Sequence, residues 1–143
     1  MLRTVSGEVL DAVNAIPLFS ACNRKELREV ARLGTKISVA KGTTITTEGA
    51  PGYELLIILE GSATCRVKGR KVARFGHGDF FGEMSLLDKG PRSATVIADS
   101  TMELLALDGR EFRRLTAASP TIAWKILVAM AGRLRTADSS LTH

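Results

Sequence analysis

Three kinds of hydrophobic spacing follow one another along the chain. Val5, Val9, Val13 and Ile16 recur at helical intervals ahead of Pro17, which predicts a short amphipathic helix ending there. After Pro17-Leu18-Phe19 a second helix is expected. Asn23 is placed to cap it, Glu26 stands three residues on as in a capping box, and Leu27, Val30 and Ala31 form its apolar stripe before Gly34 stops it. From Thr35 to Leu107 the pattern breaks into short β-type runs: Ile37 with Val39, Thr43 to Thr47, Leu55 to Leu59, Ala63-Cys65-Val67, Val72 to Phe75, Thr95 to Ala98 and Met102 to Leu107. Glycines at 49, 52, 61, 69, 76 and 78 punctuate these runs where tight corners need residues that tolerate positive φ. Short strands at regular spacing with glycine turns predict a sandwich or rolled barrel.

Beyond Leu107 the helical period returns. Asp108 and Glu111 make another capping box, Phe112 and Leu115 point inward, and Ser119-Pro120 reads as a cap followed by proline at the first helical position. A final helix is expected to run to about Leu141. Ala123, Leu127, Met130, Leu134, Ala137 and Leu141 give it a heptad-like stripe that suits either packing on the roll or pairing with a second copy. Trp124 lies off that stripe and is expected to pack rather than to stack on a ligand. The pattern therefore predicts one mainly β domain over residues 1–143: N-terminal helices to 34, a β-roll over 35–107, and two C-terminal helices over 108–143.

Composition narrows the function classes. At 45% hydrophobic and 24% charged, 143 residues suit a soluble globular domain. The net charge of +5 is mild, although Arg66, Lys68, Arg70, Lys71 and Arg74 crowd one hairpin. Without interleaved aromatics or a reading helix, that cluster reads as a solvated tip rather than a nucleic-acid surface. Cys22 and Cys65 are far apart and have only His77 and His143 as companions, so neither a disulfide framework nor a metal site is indicated. No signal-peptide pattern opens the sequence, and apolar runs such as Leu55 to Leu59 are far too short to span a bilayer. A cytoplasmic protein with no membrane span is the expectation.

One stretch carries chemistry. Phe80 to Ala98 sets Gly82-Glu83 at the mouth of a short helical segment and returns an arginine, Arg92, after a Gly90-Pro91 turn as a strand begins. Backbone N–H groups after Gly82 lack intrahelical partners and can face an anion, while Arg92 adds a full charge and a planar fork of donors. Glu83 would repel that anion unless it accepts a hydrogen bond from the same ligand, and a sugar hydroxyl is the obvious donor. One arginine, one phosphate charge and one hydroxyl describe a ribose cyclic phosphate better than a triphosphate.

Phe81-Gly82-Glu83-Met84-Ser85-Leu86 followed by Pro91-Arg92-Ser93-Ala94-Thr95-Val96 resembles the phosphate-binding cassette of cyclic nucleotide-binding domains. The resemblance extends to the Pro-Leu-Phe segment and to the Glu48-Gly49 loop, where Tyr53 departs from an Asp common in the family. It implies an eight-stranded β-roll and a set of roles. Glu83 takes the ribose 2′-hydroxyl, Gly82 permits close approach, the amides of Met84 and Ser85 meet phosphate oxygens, Arg92 neutralises them, and Ser93 adds a bond to phosphate or to a guanine. The implied ligand is cAMP, with cGMP as the alternative. The family's C-terminal helix covers the base or pairs with its twin, so a homodimer and an effector domain or protein are implied partners.

Other classes fit less well. Cupin enzymes need a His-rich ligand set, and the roll offers only His77. No Gly-x-x-x-x-Gly-Lys-Ser/Thr is present, nor a nucleophile with a base, so a non-catalytic binding module with no catalytic cofactor is expected. The alternatives are a β-roll scaffold that binds no nucleotide, and a fragment of a cyclic-nucleotide-controlled regulator, channel or enzyme. Within these residues no helix-turn-helix follows the last helix, so a DNA-binding domain is not expected here.

Overall fold

The computed structural model describes Phe19 and residues 22–141, with side chains of the last helix described as far as Gly132 except at 129 and 130. The helix expected at 5–16 lies outside the described residues. Helix α1 (Arg24–Leu33) leads into strands β1 (Thr35–Val39), β2 (Thr44–Thr46), β3 (Leu55–Glu60), β4 (Ala63–Val67), β5 (Arg70–Phe75) and β6 (Phe80–Phe81). Helix α2 (Glu83–Asp88), strands β7 (Thr95–Ala98) and β8 (Met102–Leu107), and helices α3 (Gly109–Ala118) and α4 (Pro120–Leu141) follow. The fold is mainly β, as the glycine-punctuated runs predict.

The strands form two four-stranded antiparallel sheets, ordered β1-β8-β3-β6 and β2-β7-β4-β5. The first sheet is the middle layer. Its strands β3 and β8 are apolar on both faces, so Leu55, Ile57, Leu59, Leu105 and Leu107 pack under the helices. Leu56, Ile58, Met102, Leu104 and Ala106 face the second sheet. That double burial is why Leu55 to Leu59 reads as an unbroken apolar run instead of an alternation. In the second sheet one face is wet: Ala63 and Cys65 are buried while Arg66, Lys71 and Arg74 are exposed.

The predicted capping boxes of α1 and α3 are both formed, Asn23 with Glu26 and Asp108 with Glu111. Gly34 does end α1, but in extended backbone with φ −78°, not in the left-handed turn expected of a glycine stop. Its requirement is space, because a Cβ there would lie 2.5 Å from Leu105 Cγ on β8. On α4 the buried anchors are Ile122 and Ile126, four residues apart, and their burial contributes roughly 1.5 to 3 kcal/mol each. Trp124 falls on the opposite side of that turn and is 67% exposed, which corrects the expectation that it packs within the chain. Leu127 of the expected stripe is exposed beside it.

Candidate functional site

The site begins with a strand too short for pattern reading. Phe80 and Phe81 pair with Ile57 and Leu56 of β3, which fixes where the chain leaves the middle sheet. Gly82 then turns left-handed at φ 89° to start α2. A side chain at that position would be doubly obstructed, since a Cβ would stand 2.5 Å from the Glu54 carbonyl oxygen and 2.6 Å from Arg92 Nη1. The first intrahelical bond runs from the Leu86 N–H to the Gly82 carbonyl at 3.3 Å, so the amides of Met84 and Ser85 precede the ladder. The buried Ser85 hydroxyl donates to the Pro91 carbonyl at 3.1 Å and ties the helix to the returning loop.

Arg92 does not stand at the start of a strand; β7 begins three residues later, at Thr95. Its main chain pairs instead with the preceding loop, donating to the Ala50 carbonyl at 2.9 Å and accepting from the Gly49 N–H at 2.8 Å. The side chain turns inward and keeps 7% exposure. Nη1 donates to the carbonyls of Glu54, at 2.9 Å, and Gly82, at 3.3 Å. Among the described residues Nε and Nη2 have no hydrogen-bond partner, and no unsatisfied side-chain nitrogen is sealed from solvent. Burial pushes the guanidinium below its ordinary pKa, opposed by the carboxylates of Glu54 and, less, Glu83. It stays charged, because arginine starts so far above neutrality.

A pocket of about 80 Å³ opens here, and Gly82, Glu83, Ser85, Arg92 and Ser93 line its polar end. Glu83 is buried at 7% exposure beside Arg92, while Ser93 is exposed at the rim. Met84, predicted as a site residue, is half exposed and does not line the pocket. The other wall comes from Thr46, Cys65 and Phe75, which lie outside the cassette, and from Phe81, Ala94 and Val96, cassette residues to which the sequence assigned no role. Phe75 and Phe81 stack with centroids 5.6 Å apart, and Thr46 donates to the Ala94 carbonyl at 3.1 Å. Alternation in β4 and β5 was the available signal, since it places Ala63, Cys65, Ala73 and Phe75 on one face.

A lone cation with open donor positions, a neighbouring carboxylate and apolar walls suit a small anion that carries both a hydroxyl and a flat apolar part. Among the described residues no cluster of three or more His, Cys, Asp or Glu could hold a metal. The sequence profile of the cyclic nucleotide-binding domain matches residues 36–119, which include every residue lining this pocket. The chain belongs to the cyclic nucleotide-binding domain family.

Among its relatives is a cyclic nucleotide-gated potassium channel of Mesorhizobium japonicum, 39% identical over 111 residues, or 78% of this chain and 31% of the channel. The cyclic AMP receptor protein of Thermus thermophilus is 33% identical over 130 residues, 87% of this chain and 60% of that protein. The solved catabolite activator protein of Thermus thermophilus superposes with a TM-score of 0.81 at 33% identity, covering 88% of this chain and 62% of that one. The chain thus spans about a third of the length of the channel relatives, 30% and 31%. As a cyclic nucleotide-binding domain it has a two-sheet β-roll with flanking helices, and among the described residues no helix is long and apolar enough to cross a membrane.

Proposed function

We propose that this domain is a non-catalytic, cytoplasmic sensor that binds a cyclic purine nucleotide, cAMP ahead of cGMP, and passes the binding event on through α4. The observation that carries the reading is the burial of Arg92 and Glu83 together at the polar end of one pocket. The phosphate sits on the open guanidinium nitrogens and on the amides of Met84 and Ser85. Glu83 accepts from the ribose 2′-hydroxyl, and Gly82 gives the room in which Arg92 is seated. The name of the Thermus receptor relative favours cAMP, while Ser93 at the rim provides a hydroxyl for a guanine. Calorimetric titration with cAMP and cGMP tests the choice: tighter cAMP binding supports it. Tighter cGMP binding, lost selectively in Ser93→Ala, reverses it.

The placement of α4 supports a role in output. Ser119 and Ile122 anchor its first turn in the core, whereas Trp124, Leu127 and Val128 leave an apolar face exposed one turn later. A ligand moves such a helix only by binding one arrangement better than another. In this reading the exposed face meets a second copy or an effector, and nucleotide lowers hydrogen exchange over residues 125–141. Unchanged exchange at saturating ligand would leave α4 as passive packing.

A further inference from the structure

We propose that the tip of the hairpin between β4 and β5 is a docking surface for anionic lipid headgroups. The proposal does not rest on the cyclic-nucleotide reading. Arg66, Lys68, Arg70, Lys71 and Arg74 are all exposed there. Arg74 is engaged, with Nε 3.9 Å from Asp99 Oδ2 and Nη2 donating to the Ser62 hydroxyl at 3.5 Å. Among the described residues none of the other four forms an ion pair. Glu48 does reach the tip, but its Oε1 accepts from the Lys68 main-chain N–H at 2.8 Å and not from a side chain. Arg66 Nη1 likewise turns to a main-chain acceptor, the Gly69 carbonyl at 3.3 Å.

The register of the hairpin sharpens the point. From Ala63 opposite Phe75 to Cys65 opposite Ala73 the strands keep one register, which carried on would set Arg66 against Val72. A bulge intervenes. Arg66 is set against Lys71 instead, and Val72 becomes the extra residue, 57% exposed. On its other side Arg66 stands against Thr95 of β7, so no carboxylate flanks it in that row of the sheet. Like charges directly opposite each other destabilise an antiparallel pair. A charge on the edge strand β5 guards it against pairing with another chain, but that need gives no reason for a facing cation on β4, an inner strand. An anionic surface does give one. It offsets the mutual repulsion, and each Lys or Arg brought near it strengthens binding about fivefold. Val72, an apolar side chain among cations, adds burial at the headgroup level. Single-stranded nucleic acid is held by aromatic stacking platforms, and the tip from Arg66 to Arg74 has no aromatic residue.

Co-sedimentation of the whole chain with vesicles tests this. Vesicles of phosphatidylcholine alone are compared with vesicles that also hold about 30% phosphatidylglycerol, at about 50 mM and about 500 mM salt. Binding is expected to the anionic vesicles only, and it should fade in high salt. Arg66→Gln combined with Lys71→Gln should weaken it about tenfold or more, with a thermal midpoint no lower than that of wild type. Val72→Ser should weaken it about two- to threefold. Arg24→Gln combined with Arg28→Gln removes the same charge from the exposed side of α1 and should bind nearly as wild type does. Equal losses in the two double variants would reduce the effect to net charge and overturn the proposal. So would the absence of binding to anionic vesicles in low salt, or equal binding to neutral ones. A DNA duplex of about 20 base pairs bound more tightly than the vesicles, with the same dependence on Arg66 and Lys71, would assign the tip to nucleic acid instead.

Discussion

Arg92 and Glu26 are both charged groups set where separate elements meet, and they are finished differently. Glu26 is closed on itself. Its Oε1 accepts from the Asn23 N–H at 3.0 Å, its own N–H donates to Asn23 Oδ1 at 2.8 Å, and its Oε2 accepts from the Ser119 hydroxyl. Ser119 Oγ in turn accepts from the Ile122 N–H at 3.4 Å, so one chain of bonds runs from the start of α1 to the start of α4. Arg92 has only Nη1 occupied by the protein. A polar junction whose partners are all internal adds stability and specifies packing, whereas one left partly open keeps donors free to meet solvent or a ligand.

Replacement of Arg92 gives the largest expected effect. Arg92→Ala should weaken cyclic nucleotide binding by about one to two decades, since a charge-assisted bond in a shielded site is worth roughly 1.5 to 3 kcal/mol. Lysine should rescue it poorly, having the charge without the fork. Titration with circular dichroism as a fold check decides it, and an alanine variant that binds normally removes the contrast with Glu26.

Ser119→Ala should do the reverse. It removes the α4 cap and the donor to Glu26, so denaturant unfolding should show about 1 to 2 kcal/mol of lost stability. Affinity of the folded protein for nucleotide, measured well below the unfolding midpoint, should change little. A large affinity loss would mean that the two junctions are coupled, not separate.

The ribose arm is smaller. In a cycle of wild type and Glu83→Ala against cAMP and 2′-deoxy-cAMP, a coupling of about 1 kcal/mol is expected. Strict additivity would remove Glu83 from that hydroxyl.

The smallest effect concerns acid. The Ser119 hydrogen bond, then the Asn23 amide, holds the Glu26 carboxyl below its ordinary pKa. Its folded value being the lower one, the stability it contributes is present above the unfolded glutamate value of about 4.3 and is lost as pH falls through the folded value. Unfolding free energy should therefore drop as pH falls through that range, with a shallower fall in Ser119→Ala. Equal slopes in the two proteins would take the Glu26 bond out of the acid response.

How much of this was legible follows from how local each feature is. The cassette could be read because Gly82, Glu83 and Arg92 fall within eleven residues, and helix caps because their partners are three residues apart. The bond between Ser119 and Glu26 spans 93 positions, and no periodicity predicts such a pairing. Strand β6 has two residues, too few to alternate. Gly34 was recognised as a stop, but its cause is a leucine on β8 and not its own dihedral angles. Trp124 was expected to pack from its place near the start of the helix and off its stripe, but Ile122 and Ile126 already fill the inward face of α4.

The central claim is that the open nitrogens of Arg92 receive the nucleotide phosphate. The most direct measurement is the side-chain Nε–H resonance of Arg92, assigned by its loss in Arg92→Lys and followed by nuclear magnetic resonance during cAMP titration. The account predicts a saturable downfield shift and slower exchange with water as Nε–H gains a charged acceptor. A resonance that stays in place at saturating cAMP, while other pocket signals move, would contradict it.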